Sequence, residues 1–596
     1  MTFHQLLYTL ELGKGTAWVR LITFSIIFLG LAAWYDVGLN PGNGNFHSFG
    51  ETQAMDNAQI ARQLARGEGY STKVLTPFRL SQDRNRAFLA TGGLSSELGS
   101  AVPTALPKLS LPETLTPPLY PAALAVLYKI TGVSFEAPIS GNPFANRAEL
   151  IALLFNQACL VATAFTGFFL ALALFDLRVA QLSGILLLFS PILWRFSVTG
   201  LATSFTLLLL TLSALFLHRA FLANEKEERG ASASVLLNFT GSSLFLALAA
   251  LSDYSALWLI PALFLAALFL RSRGLPIVIL LVACGLVDLP WLFRNYSLTG
   301  DLFGGAVLLL AAGGEGYPGT LLQRSYHPIV DTLSPWGASF HNLIHGLRWS
   351  IENGFSNLGA SFIVFFFFAG LLHFFKRTHA QKLRYVTLVA LLLLVVGPAI
   401  AASEPKLLSS QNRLVLLLAV ITVFGASFFH ILLDRLELGL GLLRKVVLWL
   451  FVGLNCFPFF LALLKPEGSA FHYPPYHPPM ITLASRWYME DEIIATDIPY
   501  ATAWYGDRTS LWLPATTKDF IEINDYVHPL SGILLTPLSM NSQALNEIYK
   551  GEWKGWALLV LGLQRPAEIP LTALIRLPPN ENEYLLLTDR PRWPQK

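Results

Sequence analysis

The chain has 596 residues, of which 54% are hydrophobic and only 13% charged, with a mean hydropathy of +0.52. About a quarter of the residues in an ordinary soluble domain are charged, so this composition excludes one large soluble core and implies many membrane spans. The net charge of +3 is too small for a nucleic-acid binder, and Cys159, Cys284 and Cys456 all lie inside apolar segments, which excludes a disulfide framework or a cysteine metal site.

Taken in order, the candidate spans are residues 17–37, 149–175, 178–197, 200–220, 234–252, 254–270, 275–292, 358–375, 384–402, 413–434 and 445–464. The first resembles a signal peptide, but its apolar run from Ala17 to Trp34 is long and no small-x-small cleavage pattern follows it. It reads as a retained span. The segment Pro117-Pro-Leu-Tyr-Pro through Gly132 is ambiguous, being short, proline-led and carrying Lys129.

Basic residues resolve it. If that segment does not span, one side receives Arg178, Arg219, Lys226, Arg229, Arg271, Arg273, Lys376, Arg377, Lys382, Arg384, Arg435, Arg444 and Lys445. Near span ends in short loops, the other side receives only Arg195, Arg294, Lys406 and Arg413. This matches the positive-inside rule with the N-terminus inside, whereas an additional span inverts everything downstream. The segment is therefore expected to be an interfacial or half-inserted helix. The expected fold is a polytopic α-helical membrane protein of about eleven spans, residues 1–464. Loops 38–148 and 293–357 lie outside, followed by a small extramembrane α/β domain, residues 465–596.

The loop 38–148 carries the run Gly50-Glu-Thr-Gln-Ala-Met-Asp-Asn-Ala-Gln-Ile-Ala-Arg62. Spacings of three and four place Ala54, Ala58, Ala61 and Ala65 on one narrow helical face, with Asp56, Gln59, Gln63 and Arg66 opposite, and Gly67-Glu-Gly69 stops the helix. Glu51 and Asp56 thus fall at the membrane–water boundary, where a base acting on a lipid-linked substrate is needed. The plainer reading of the same pattern is a solvated surface helix. Glu113, just before Thr116-Pro-Pro-Leu-Tyr-Pro121, is a second candidate acid.

Arg294, in Trp291-Leu-Phe-Arg-Asn-Tyr-Ser-Leu-Thr-Gly300, and Lys406 and Arg413, in Glu404-Pro-Lys-Leu-Leu-Ser-Ser-Gln-Asn-Arg413, run against the charge bias. Guanidinium forks match phosphate oxygens, and snorkelling to lipid head groups is the plainer alternative. Asp253, in Leu251-Ser-Asp-Tyr-Ser255, is an acid between two spans, with turn and cap chemistry as its simpler account. His327, His341 and His345 have no metal-like spacing. No phosphate-binding glycine loop or dinucleotide fingerprint is present.

In the C-terminal region the stiff spacer Tyr473-Pro-Pro-Tyr-His-Pro-Pro479 precedes strand-like runs at Glu492–Thr496, Ser510–Leu513, Gly532–Leu535 and Trp556–Leu561. Helical patterns are expected near 480–490, 516–527 and 541–550.

The acidic run Glu51 to Arg62 with Gly67 after it, Pro117-Pro-Leu-Tyr-Pro121, Trp291 to Gly300, and Asn412-Arg413 opening a late span together resemble multi-pass glycosyltransferases of the GT-C fold. That class holds the protein O-mannosyltransferases and the lipid A aminoarabinose transferases, and the resemblance covers most of the membrane portion. It implies an inverting, single-displacement transfer of a sugar from a polyprenyl-phosphate donor to a lipid, glycan or protein acceptor, outside the bacterial inner membrane. No cofactor is implied, and a divalent metal stays open. Asp56 or Glu51 would be the base. Arg294, Arg413 and Lys406 would bind the donor phosphate. Tyr120, Asn295, Glu113 and Asp253 are further candidates. Members usually carry an Asp-Glu pair directly before the loop helix. Here Gly50-Glu51 stands in its place, and the base role is open between the two acids. A lipid-linked substrate flippase and an inactive relative serving as an assembly subunit are the alternatives. A flippase would call for mid-bilayer polar groups and broken helices in matched halves.

Reporter fusions at Gly132 and after Lys465 should report the outer compartment, and fusions after Gly230 and Lys376 the inner one. An inner signal after Lys465 contradicts the eleven-span topology.

Overall fold

The structure, a computed structural model, describes residues 15–38, 44–90, 111–135, 142–226, 232–312, 315–316, 319–327, 337–359, 361–401, 413–436, 441–464, 475–540, 555–560, 568–577 and 584–593. Each expected span falls on helical backbone. Seven helices among the described residues are long and apolar enough to cross a membrane: Arg147–Leu174, Thr203–Lys226, Ala233–Ser252, Gly274–Thr299, Thr378–Ile400, Arg413–Arg435 and Gly441–Leu464. The first expected span is the helix Gly15–Val37.

The remaining spans are interrupted for local reasons. Residues 178–197 divide into Leu177–Leu188 and Pro191–Ser197, bent by 47° where Pro191 starts the second piece. Residues 254–270 begin as a 3₁₀ turn, Tyr254–Leu259, that Asp253 caps by accepting the Ser255 amide at 2.8 Å. This is the cap chemistry the sequence offered for that acid. The helix Phe362–Ala369 winds down into a 3₁₀ turn at Gly370. The helix drawn as 275–292 continues to Thr299, so Asp288 sits near its middle rather than toward its end.

The ambiguous segment is the 13-residue helix Leu119–Thr131, closed by Gly132 in the left-handed region. At 1.5 Å per residue it reaches roughly 20 Å, short of a bilayer core of about 30 Å. Its far end leaves Val126 and Ile130 57% and 76% exposed, an apolar flank suited to an interface.

The strands, in chain order, are β1 (Ser71–Thr72), β2 (Val74–Leu75), β3 (Leu111–Pro112), β4 (Glu315–Gly316), β5 (Gly319–Thr320), β6 (Ile493–Thr496), β7 (Thr509–Trp512), β8 (Leu530–Leu535), β9 (Ala573–Leu577) and β10 (Tyr584–Thr588). Six form one sheet in the order β2-β7-β6-β8-β10-β9, with β2, β7, β6 and β8 parallel and the last two antiparallel. Leu75, Ile493, Ala495, Leu511, Ile533 and Leu585 point to one face, packed with Phe520 and Trp556, and Ile494, Leu534 and Leu586 to the other, with Ala484 and Tyr488. Three of the four expected strands are present. The run from Trp556 is instead a short helix, Ala557–Val560, with Trp556 packed on Phe520 at 5.6 Å. A brief apolar run does not separate strand from helix by itself. The helices Pro478–Ser485 and Thr517–Tyr526 match expectation, and residues 541–550 lie outside the described residues.

The edge strand β2 comes from the loop 38–148, more than four hundred residues upstream of its partner: Val74 pairs with Ser510 and Leu75 with Leu511. The C-terminal domain and the loop therefore share one sheet. A second tie reinforces it. The loop helix Thr52–Arg66 lies against the helix Pro499–Gly506, and Arg62, 1% exposed, donates from Nη1 to the Trp504 carbonyl at 2.9 Å and from Nη2 to Ala503 at 2.6 Å. Asp507, in the left-handed region at φ 51°, ends the second helix and gathers Arg62 at 3.1 Å, Arg66 at 2.8 Å and Lys73 at 2.7 Å. Burial pushes the Arg62 guanidinium down to about 10, with Asp507 opposing, so it is charged at neutral pH.

Burial also pushes the Asp507 carboxyl up, but the charges of Arg62, Lys73 and Arg66 outweigh it and hold it at about 2, below its ordinary 3.8. A depressed carboxylate stabilises the fold fully above its unfolded value, and that stability is lost as pH falls through about 2. The shift is worth roughly 2 kcal/mol. Asp507→Asn tolerates the positive φ and removes only the charge. It should destabilise the docked domain by about 2 kcal/mol at pH 7, read by hydrogen exchange in β2 and β7. The difference from wild type should shrink below pH 4.

Candidate functional site

The loop helix is buried on both faces. Ala54, Ala58 and Ala61 are fully buried, in a cluster with Tyr120, Leu124 and Tyr128 of the interfacial helix and with Ala501 and Trp504 of the C-terminal domain. The small-residue face permits that close approach. The polar face, which the sequence left to solvent, is covered as well: Gln59, Arg62 and Gln63 are buried and Asp56 is 8% exposed. Gly67, at φ 81°, ends the helix by donating its amide to Gln63 and Leu64, as the Gly67-Glu-Gly69 stop implied.

Asp56 is held by two side chains. Its Oδ2 accepts from Thr116 Oγ1 at 2.7 Å and its Oδ1 from Gln59 Nε2 at 3.0 Å, and Gln59 also donates to Thr72 Oγ1 at 2.7 Å. Its electrostatic neighbour is Glu113, also buried. Burial first, and the Glu113 charge second, push the Asp56 carboxyl up toward neutrality, and the bonds from Thr116 and Gln59 only partly oppose this. Glu113 is held by its own backbone: Oε1 accepts the amides of Thr114 at 2.9 Å, Leu115 at 2.5 Å and Thr116 at 3.1 Å.

The segment bearing Glu113 is fixed by the short ladder of β1 on β3, which pairs Ser71 with Pro112 and is extended by the Glu113 amide donating to the Tyr70 carbonyl at 3.1 Å. Arg294, near the end of the helix Gly274–Thr299, clamps the same two residues. Nη1 donates to the Glu113 carbonyl at 2.8 Å and to Asn295 Oδ1 at 3.2 Å, and Nη2 donates to the Tyr70 carbonyl at 3.2 Å. Its guanidinium lies over the Trp291 ring at 4.6 Å and near Tyr70 at 5.5 Å. Of five guanidinium N–H groups, these bonds use three, and two have no partner among the described residues. Asn295, fully buried, donates to the Thr114 carbonyl at 3.1 Å, and Trp291 Nε1 donates to Tyr254 Oη at 2.7 Å.

The structure thus brings together Asp56, Glu113, Arg294 and Asn295 from loop 38–148 and a distant span. Glu51 stands apart, exposed at the N-terminal edge of the loop helix, with Arg195 as its electrostatic neighbour. Tyr120 is a packing residue, donating to the Gly200 carbonyl at 3.0 Å. Asp253 caps its turn and is the electrostatic neighbour of Arg413. Lys406 lies outside the described residues, as does the His341 side chain. His327 pairs with Glu522 of the C-terminal domain at 2.6 Å. Among the described residues no three His, Cys, Asp or Glu side chains form a metal-sized group.

Sequence reasoning missed Thr116, Gln59, Tyr70 and Tyr254. Tyr70 directly follows the Gly67-Glu-Gly69 stop, and Thr116 directly precedes the proline motif, which were the available signals.

No family model matches the chain, and no curated protein matches it. Solved structures do. ArnT from Cupriavidus metallidurans in the apo state is similar with a TM-score of 0.54 at 11% identity, over 97% of this chain and 98% of that one. The same enzyme bound to undecaprenyl phosphate gives 0.56 at 11%, over 96% and 98%. The oligosaccharyltransferase AglB from Archaeoglobus fulgidus, with an inhibitory peptide and a dolichol-phosphate, gives 0.50 at 11%, over 90% and 72%. Both are GT-C proteins, and the chain has that fold.

An ammonium does not reproduce the two-carbonyl clamp of Arg294. Arg294→Lys should therefore raise amide exchange at residues 70–72 and 113–116 by about ten-fold, the loss of roughly 1.5 kcal/mol for a charged hydrogen bond. Exchange in β6 to β8 should be unchanged. Wild-type protection at both segments contradicts the clamp.

Proposed function

We propose that the chain is a membrane glycosyltransferase that moves a sugar from a polyprenyl-phosphate donor to an acceptor hydroxyl, by a single inverting displacement on the outer face of the bacterial inner membrane. The observation that carries this is the buried Asp56–Glu113 carboxyl pair. It is assembled at one end of a bundle of apolar helices, with an arginine beside it. The GT-C fold and the lipid phosphates named with ArnT and AglB support the donor class.

In this reading Asp56 is the general base. Its raised proton affinity suits the removal of a proton from a hydroxyl, whose oxygen attacks the anomeric carbon as the bond to the donor phosphate breaks. The bonding electrons leave with the phosphate. The two remaining N–H groups of Arg294 meet the charge that develops there, and Arg413 and Lys406 are the further cations of that region. Glu113 adds to the effect of burial in raising the proton affinity of Asp56 and, through its backbone, seats Arg294. Asn295 holds the strand end through the Thr114 carbonyl. Anchoring the donor in the bilayer confines its search to two dimensions and leaves the soluble side to the acceptor.

Asp56→Asn should reduce transfer from a labelled polyprenyl-phosphate sugar by about 100-fold or more, with the amount of folded protein unchanged. A base must be ionised, so the rate should fall on the acid side of a limb lying above the ordinary carboxylate range near 4. The Glu113 charge raises the Asp56 carboxyl, so Glu113→Gln should move that limb to lower pH. A limb that stays in place removes the coupling, and an Asp56→Asn enzyme of near wild-type rate removes Asp56 as the base.

A further inference from the structure

We propose that the C-terminal domain completes the transfer site with an aromatic acceptor wall, Tyr500 seated on Trp512, and that the acceptor it takes is a carbohydrate hydroxyl rather than a peptide side chain. This inference rests on the reading of Asp56 as the base.

Tyr500 packs against the cluster in which Ala54, Met55, Ala58 and Ala61 of the loop helix meet Ala501 and Trp504. Asp56 belongs to that stretch of the loop helix, directly after Met55. The electrostatics agree with that placement: after burial, the Asp56 and Glu113 carboxylates are the next largest influences on the Tyr500 phenol, and both push it up.

Tyr500 is set by the sheet. It belongs to the first turn after β6, behind Pro499, and Trp512 is the last residue of β7, the parallel neighbour of β6. Both stand at the carboxyl edge of the parallel strands, where open α/β sheets hold their ligands. Their rings meet edge to face at 5.6 Å and 82°. Trp512 is 6% exposed, and its indole N–H is buried without a hydrogen-bond partner among the described residues. A buried donor with no acceptor among the described residues, at an edge where such sheets hold ligands, is suited to an acceptor on a bound molecule.

The donor side of the site is the membrane side, held by Trp291 and Arg294 at the end of a span. A wall supplied by the extramembrane domain therefore borders the acceptor. A flat ring with a phenol O–H beside an indole N–H matches a pyranose, which offers an apolar face for stacking and hydroxyls for both donors.

The test uses the full-length protein in nanodiscs and saturation-transfer NMR with methyl α-mannoside, methyl β-glucoside and methyl β-galactoside as probes. A serine- and threonine-containing heptapeptide is the comparison. At least one hexoside should receive saturation. Tyr500→Ala should weaken its binding by about five-fold or more, with smaller losses in Tyr500→Phe, which keeps the ring, and in Trp512→Phe, which keeps the stack and removes the N–H. Asp56→Asn should bind the hexoside like wild type. Unchanged turnover in Asp56→Asn overturns the base, whereas the wall is judged by binding alone. Three results overturn the wall: no hexoside binds, the heptapeptide displaces it as the preferred ligand, or Tyr500→Ala and Trp512→Phe both bind like wild type while folded.

Discussion

A buried guanidinium organises the packing of the C-terminal region on the rest of this protein. Arg62 is almost fully removed from water, which is tolerated only where its charge and donors find partners. The partners are two carbonyls at the end of the helix Pro499–Gly506 and the Asp507 carboxylate just beyond it. Meeting them seats the loop helix against the C-terminal domain. The same packing brings Tyr500 against the cluster of Ala54, Met55 and Ala58, next to Asp56. Asp507 also draws in Lys73, next to β2, so one carboxylate joins the helix, the edge strand and the domain.

A second constraint acts from the membrane side. Arg294 closes two carbonyls from the ends of a long loop, Tyr70 and Glu113, onto a span. The loop is thus anchored to the domain through Arg62 and β2, and to the bundle through Arg294. The carboxyl pair lies between the two anchors, where burial and mutual repulsion keep Asp56 ready to accept a proton. The proposed chemistry uses this tension directly. A carboxylate at ease in solvent would be a weaker base.

Much of the architecture was legible in the sequence, because the bilayer imposes length and charge rules on each span separately. Charge sidedness led to the expectation that 117–132 does not span, and the helix there, Leu119–Thr131, is short for a bilayer core; the end of the loop helix came from Gly67. Arg294 stood out because it broke the charge bias. What stayed hidden was non-local. The two residues of β2 carry no strand signal of their own and become a strand only through partners at Ser510 and Leu511. The polar face of the loop helix read as solvated because local periodicity does not reveal that Thr72, Thr116 and the Ala503 and Trp504 carbonyls will cover it. The pairing of Asp56 with Glu113 spans a loop of more than fifty residues, so on sequence alone Glu51 was an equal candidate for the base.

The central claim is that the carboxyl pair and Arg294 frame one site for a lipid-linked sugar. It is tested most directly by a structure of the chain with a bound polyprenyl-phosphate sugar. The account predicts a phosphate oxygen within hydrogen-bond reach of Arg294, about 3 Å, and an anomeric carbon whose open face looks toward Asp56. A phosphate seated away from Arg294, with the sugar facing neither Asp56 nor Glu113, would contradict it.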